Sequence, residues 1–381
     1  MKIDYIHFYV KDASISQAWF INQMGFQSVV SGASNHTQIA VVNSGSIYIV
    51  LSSPLTTTSP VAQFLRLHPP GVVDIAFKVS NLEAVMEKAV ANGAKVLQPI
   101  RQQQLVPRSV KWGKIAAWGS LSHTLSEYAG KVSFLSVLAD LGITLDLENS
   151  AKLPSTEATA NLYQQEFSPN LASHSRFFTG IDHVVLNVAV GDLEPALSWY
   201  EAVLGFQRQQ TYTIETDRSG LRSQVMVHPD SGVQFPINEP TSANSQIQEF
   251  LDINQGAGIQ HIALQTPKIV EAIAKLRTLS LSFLPIPSTY YSQLEANSPQ
   301  LPLSRKELAE IAQQEILVDW HNDGSEALLL QTFTQPIFEQ PTFFFELIER
   351  RQQAQGFGEG NFRALFEAIE REQLKRGSLM T

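Results

Sequence analysis

The chain has no cysteine among its 381 residues, which excludes disulfides, iron–sulfur clusters, thiolate zinc sites and cysteine nucleophiles. It also lacks a basic cluster. Its 27 Lys and Arg stand against 36 Asp and Glu, a formal net charge of −9, so neither nucleic acid nor an anionic membrane is an expected partner. No apolar run reaches the ~18 residues needed to span a bilayer. Met1-Lys2-Ile3-Asp4 passes straight into a strand pattern with no charged-then-apolar leader, and a soluble cytoplasmic protein is the expectation. The length exceeds one typical domain and is ample for a sizeable core.

What is present is a set of three polar residues in apolar, strand-like runs. Glu346 sits in Phe343-Phe344-Phe345-Glu346-Leu347-Ile348, His183 in Ile181-Asp182-His183-Val184-Val185-Leu186, and His261 in Ile259-Gln260-His261-Ile262-Ala263-Leu264. Strand side chains alternate with period two, so each is expected to face an interior alongside apolar neighbours: His183 with Ile181 and Val185, His261 with Ile259 and Ala263, Glu346 with Phe344 and Ile348. An unpaired carboxylate there is costly. Two imidazoles and one carboxylate fill one face of an octahedral ion and leave positions open, the arrangement of non-haem Fe(II) oxygenases, whereas a sealed zinc site calls for a fourth ligand. The competing reading is that each is a core residue satisfied by an ordinary hydrogen bond. The seven other histidines are read as lying in less clean strand contexts, with His321 in a surface turn at Trp320-His321-Asn322-Asp323-Gly324.

The two halves resemble each other. Ala18-Trp19-Phe20-Ile21-Asn22-Gln23-Met24-Gly25-Phe26 reappears as Ser198-Trp199-Tyr200-Glu201-Ala202-Val203-Leu204-Gly205-Phe206, a helix closed by glycine. Gly71 to Phe77 parallels Gly258 to Leu264, and helical segments over 81–92 and 267–279 follow. A repeated βαβββ unit is the coarse expectation. In this alignment Tyr5 stands opposite His183 and Asp74 opposite His261, so the first half has no ligand set. Residues 151–177, rich in Ser, Thr, Ala and Asn, read as a connection between an N-terminal supporting and oligomerisation domain, 1–150, and a C-terminal metal-binding domain, 178–381. Pro285 to Pro302 reads as an irregular loop over one end of the second barrel. Gln207 to Thr213 reads as an exposed edge strand away from the site. Gly356-Phe357-Gly358-Glu359-Gly360 lacks the Lys-Ser/Thr of a phosphate loop. Asn361 is a candidate N-cap for a terminal helix whose stripe Phe362, Leu365, Phe366, Ile369 is mostly packing, and the charged stretch Glu367 to Arg376 reads as a solvated face.

With these residues assembled, the chain resembles the 4-hydroxyphenylpyruvate dioxygenase family of the vicinal-oxygen-chelate superfamily. The resemblance runs along the whole chain and rests on Pro236-Ile237-Asn238-Glu239-Pro240, Ser245-Gln246-Ile247-Gln248, Gly256-Ala257-Gly258 leading into His261, Phe283-Leu284-Pro285, Leu329-Leu330-Gln331-Thr332-Phe333-Thr334, Phe344-Phe345-Glu346 and Gly356-Phe357-Gly358-Glu359-Gly360-Asn361-Phe362. It implies an α+β fold of two tandem vicinal-oxygen-chelate (glyoxalase/bleomycin-resistance-like) open barrels, each of paired βαβββ modules, with a lid helix over about 361–377. The family's iron ligands fall on His183, His261 and Glu346. Its catalytic polar positions fall on Ser223, Asn238, Gln260 and Gln331, and its substrate-binding positions on Gln246, Phe333, Phe344, Phe357, Asn361 and Phe362, with Phe333 and Phe362 sandwiching the substrate ring and only Phe362 of the terminal stripe reaching it.

The resemblance further implies one Fe(II) per chain, O2 as co-substrate and a 2-oxo acid, 4-hydroxyphenylpyruvate, that brings its own oxo group, so no external 2-oxoglutarate is needed. The product is homogentisate with CO2, in tyrosine catabolism or quinone synthesis, from a homo-oligomer (dimer or tetramer). The alternatives are a 4-hydroxymandelate synthase, an extradiol catechol dioxygenase, and a metal-free protein that sequesters an aromatic ligand.

Overall fold

The computed structural model describes residues 1–105, 108–129, 177–216, 218–297, 301–320 and 326–377. The first half supplies β1 (Lys2–Tyr9), β2 (Gln27–Ala33), β3 (Thr37–Ser44), β4 (Ile47–Pro54), β5 (Gly71–Lys78), β6 (Val96–Leu105), β7 (Arg108–Ala116) and β8 (Ser122–Ala129). The second supplies β9 (Gly180–Asn187), β10 (Gln207–Glu215), β11 (Gly220–Val227), β12 (Gln234–Pro240), β13 (Gly258–Gln265), β14 (Leu317–Trp320), β15 (Leu328–Phe333) and β16 (Phe344–Arg351). The two sheets have the same order: β2-β3-β4-β1-β5-β8-β7-β6 and β10-β11-β12-β9-β13-β16-β15-β14. Each curls into a half-barrel from two βαβββ modules. Within a module the first strand pairs in parallel with the last, and the two modules join antiparallel through β1·β5 or β9·β13.

Alternation along β16 fixes both faces of this arrangement. Phe343, Phe345 and Leu347 point into one core that runs through both halves, where Phe343 meets Phe8 edge-on at 5.0 Å and Phe345 meets Phe20 at 5.9 Å. Phe344 and Glu346 therefore face the other way, into the second barrel. The bulky aromatics that make the segment strand-like thus anchor it, and the carboxylate points where it is needed.

At the matching positions of the first barrel, Asp74 is fully buried. It accepts from Thr124 N at 2.9 Å, Thr124 Oγ1 at 2.7 Å and Ser122 Oγ at 3.0 Å, and pairs with the Lys114 ammonium. Lys114 stands across from Thr124, the register position that Phe333 occupies opposite Glu346 in the second barrel. A cation of the protein itself therefore lies against this carboxylate, as buried charge requires.

Contrary to the sequence reading, two further histidines lie in strands. His7 is in β1 between the apolar Ile6 and Phe8, and His123 is in β8, where its neighbours Ser122 and Thr124 are polar and mask the alternation. His123 Nδ1 donates to Ile75 O at 2.9 Å, and its Nε2 meets the Tyr200 hydroxyl at 3.1 Å across the seam between the halves. Burial pushes His123 down to about 4 and His7 to about 3. Both stay neutral in the fold at pH values where the unfolded chain, near 6.5, takes up protons. Stability is then complete above pH 6.5 and falls toward pH 4, by about 1.4 kcal/mol per pH unit for each such histidine. Urea midpoints at pH 7, 6 and 5 should show this decline, and His123→Gln should make it shallower; an equally steep decline in the variant removes His123 as its source.

Other expectations are corrected. The stretch from Pro285 is not a loop: Ser288–Asn297 is a helix, with Tyr291 buried and donating from its hydroxyl to Ile316 O at 3.1 Å. The flanking prolines suggested a loop, but tertiary anchoring of the two tyrosines outweighs them. The terminal helix spans Glu359–Arg376 and starts after Gly358 in the left-handed conformation, so Asn361 is inside the helix and does not cap it. Nor is Glu367 to Arg376 wholly solvated. Glu370 and Gln373 are buried, and Glu370 Oε1 accepts from Thr216 Oγ1 at 2.7 Å and Ser219 Oγ at 2.6 Å, tying the helix to the β10–β11 turn. Nearly all of the 151–177 connection, and His321, lie outside the described residues.

Candidate metal centre and substrate cavity

Three neighbouring strands deliver the three candidate ligands. His183 on β9 faces Ala263, and His261 on β13 faces Val185. β16 runs parallel to β13 and sets Glu346 beside Ala263. His183 Nε2 lies 3.2 Å and His261 Nε2 3.6 Å from Glu346 Oε2, and the three ligand atoms lie within 4.8 Å of one another. With metal–ligand bonds of about 2.1 Å, donors sharing an octahedral face lie about 3 Å apart, so small rotations close this set around an ion. Exposures of 3%, 8% and 2% for His183, His261 and Glu346 rule out a surface cluster.

The outer atoms of the set are held as metal ligands require. His183 Nδ1 donates to Asp182 Oδ1 at 2.9 Å, and Glu346 Oε1 accepts from Gln331 Nε2 at 2.9 Å. The His261 Nδ1 contact to Gln260 Oε1 is longer, 3.4 Å, while Phe344 stacks on the His261 ring at 4.9 Å and 16°. Burial opposes charge on both imidazoles. For His183 the Glu346 and Asp182 carboxylates overcome it and raise the imidazole well above its ordinary value. His261 goes the other way, pushed down by burial and by the charge on His183. Burial also opposes ionisation of Asp182, but the Arg350 guanidinium and His183 keep its carboxyl well below the usual range. Two imidazole nitrogens and a carboxylate oxygen converge here, and this donor chemistry fits a divalent metal.

The three candidate ligands open onto a pocket. All three line it, as do Ser223, Asn238, Gln246, Gln260, Gln331, Phe333, Phe344, Phe357 and Asn361. Thus every candidate comes together except Phe362, which lies in the terminal helix but whose side chain is outside the described residues. Ser223 and Asn238 are direct cross-strand partners. Gln246 Oε1 is buried without a hydrogen-bond partner among the described residues, an acceptor free for a ligand.

A family model described as "Glyoxalase/Bleomycin resistance protein/Dioxygenase superfamily" matches residues 180–296, and a second model of the same description matches residues 4–109. A 4-hydroxyphenylpyruvate dioxygenase from Dictyostelium discoideum is 37% identical and aligns over 99% of both chains. Another, from Coccidioides posadasii, is 34% identical over 99% of this chain and 94% of its own. The chain belongs to the 4-hydroxyphenylpyruvate dioxygenase family. As a member of this family it is a dioxygenase-type enzyme. A mutant 4-hydroxymandelate synthase from Streptomyces coelicolor, 22% identical, superposes with a TM-score of 0.77 over 98% of each chain, which shows the shared fold. Among the described residues no helix is long and apolar enough to cross a membrane.

Strand alternation alone misses parts of this family member's cavity, although the resemblance named Gln260. Gln260 and His261 are adjacent, yet both line it, because a register shift between Ile259 and His261 interrupts the alternation. Ile259 therefore does not share the face of His261 but joins the hydrophobic core; such bulges re-aim side chains next to sites. β10 is the sheet edge, as expected, but Tyr212 on it lines the cavity, contrary to the expectation that this strand stays clear. Phe366 and Ile369 also line it, so the helix stripe contributes more than its first member. Helical spacing was the available signal; nothing local marked which turn would meet the cavity.

Proposed function

We propose that this enzyme binds Fe(II) through His183, His261 and Glu346 and converts 4-hydroxyphenylpyruvate and O2 to homogentisate and CO2. The observation that carries the reading is a 2-His-1-carboxylate set that lines a pocket together with amide and hydroxyl groups and aromatic rings. Iron, when bound, supplies oxygen activation and the decarboxylation of a 2-oxo acid. The protein supplies the rest. Ser223, Asn238, Gln246 and Gln260 are suited to orient the substrate's polar groups through neutral hydrogen bonds. Phe333 offers an aromatic wall, standing edge-on to Phe344 at 6.2 Å, and Phe362 is proposed to close the ring from the helix. Gln331, bonded to Glu346 and to the Phe357 carbonyl, keeps the ligand carboxylate oriented. The terminal helix excludes water. A substrate carrying its own 2-oxo acid makes external 2-oxoglutarate unnecessary. A homo-oligomer assembled through the first half is part of the same proposal.

The test is oxygen uptake by protein loaded anaerobically with Fe(II), then given 4-hydroxyphenylpyruvate, with product identified by chromatography and mass. Homogentisate is the expected product. 4-Hydroxymandelate would keep the site and change the reaction, and no uptake by folded, iron-loaded protein would overturn the substrate.

A further inference from the structure

Arg350 is nearly buried, with 12% of its side chain exposed. It lies four residues after Glu346 on β16, on the same strand face. Its guanidinium grips Asp182 with two parallel bonds, Nε to Oδ2 and Nη2 to Oδ1, each 2.7 Å. Its remaining nitrogen, Nη1, donates to Gly356 O at 2.8 Å and Ala354 O at 3.2 Å. One side of the fork therefore holds the carboxylate that orients His183 Nδ1, and the other holds the turn that leads into the terminal helix.

That turn is unfavourable in isolation. Gln352 and Gln353 have φ of 48° and 57°, and Gly356 and Gly358 have 83° and 78°; two successive non-glycine residues in the left-handed region persist only where surroundings impose it. Past the turn, the Phe357 ring meets the His183 ring at 5.1 Å and 72°, its carbonyl accepts from Gln331 at 3.0 Å, and the helix begins at Glu359. The turn thus reaches His183 twice, through Arg350 and Asp182 at Nδ1 and through Phe357 at the ring.

We propose that Arg350 is a latch that couples seating of the terminal helix to the orientation of the metal ligand His183, so that metal binding and lid docking reinforce each other. It is a positioning residue and does not touch the substrate cavity. The geometry calls for arginine: a planar fork serves a carboxylate and two carbonyls at once, which a single ammonium cannot do. Linkage makes the coupling reciprocal, so a bound metal must protect the helix as much as a seated helix tightens the metal.

The proposal rests on His183 ligating a metal, and its test separates the two ideas. Co(II) affinity by calorimetry and amide hydrogen exchange with and without Co(II) are measured on the full chain, as parent, Arg350→Gln, Arg350→Lys and Asp182→Asn. In the parent, Co(II) should slow exchange across residues 354–376. In Arg350→Gln and Arg350→Lys that metal-linked protection should be lost and affinity should fall about 10–100-fold, the usual effect of removing an outer partner of a metal ligand. Exchange in β1–β8 serves as the check on folding. Should the Arg350 variants fail to fold, Asp182→Asn carries the test and should show the same uncoupling. Parental affinity and parental metal-linked protection in a folded variant would overturn the latch. Failure of the parent itself to bind Co(II) would overturn the metal-site reading beneath it.

Discussion

Glu346→Gln should fold and should bind a divalent metal far more weakly than the parent. The amide has the carboxylate's shape, and the site already carries polar partners, so the change to the core is small. What disappears is the one negative charge at the convergence of His183 Nε2 and His261 Nε2, 3.2 and 3.6 Å away. A neutral amide oxygen is a poor ligand, and the variant must also keep its NH2 group away from Gln331 Nε2, which donates to Oε1 in the parent. Replacing partners that merely orient ligands costs about 10–100-fold in metal affinity. Removing an anionic ligand should cost at least 100-fold, about 2.7 kcal/mol, with turnover falling at least as far. Calorimetric titration with Co(II) reads the affinity. Thermal melting reads the fold, because a ligand that binds only the native state raises the melting temperature. The parent should gain stability on adding metal and the variant should not. Metal affinity within a few-fold of the parent would show that Glu346 is a satisfied core carboxylate and not a ligand.

Gly358→Ala should weaken metal binding less than Glu346→Gln does and disable the cavity. At φ +78° a side chain is already strained, and a Cβ there would lie 1.9 Å from Gln331 Oε1 and 2.5 Å from its Cδ. The strain alone costs about 1–2 kcal/mol. The clash cannot be tolerated, so either Gln331 withdraws from Glu346 and Asn361, 2.9 and 3.0 Å away, or the first turn of the terminal helix lifts. Either outcome opens the site to water. A drop of about 10–100-fold in kcat/KM is expected, on the scale of a misplaced positioning group, while the melting temperature falls by only a few degrees. Gly232 provides the control. It has φ +71° with nothing within 4 Å of an added Cβ, so Gly232→Ala should show the backbone strain without the loss of activity. Equal activity losses in the two variants, or none in Gly358→Ala, would mean that Gly358 serves the turn alone.

The clustering of His183, His261 and Glu346 was legible in the sequence because their strands report themselves. A carboxylate between Phe345 and Leu347, or an imidazole between Asp182 and Val184, stands out from an apolar run, and duplication without ligands in the first half sharpened the contrast. The repeated modules and their order follow from the same periodicity. Conditions set by distant segments were not legible. The bulge that turns Gln260 and His261 to one cavity arises from pairing with β9. Tyr212 reaches the cavity because the sheet curls, although its strand reads as a solvated edge. The helix at Ser288–Asn297 is anchored by Tyr290, whose hydroxyl donates to Val318 O at 3.0 Å and meets Asn361 at 2.9 Å, and Asn361 serves that network instead of capping its helix. Side-chain alternation and apolar run length are local properties, so sequence alone determined which residues could hold a metal and on which kind of element. Register, curl and the docking of the terminal helix depend on contacts between residues far apart in the chain. Only the tertiary structure added Tyr212, Phe366 and Ile369 to the polar and aromatic side chains that the resemblance had already placed around the candidate metal centre.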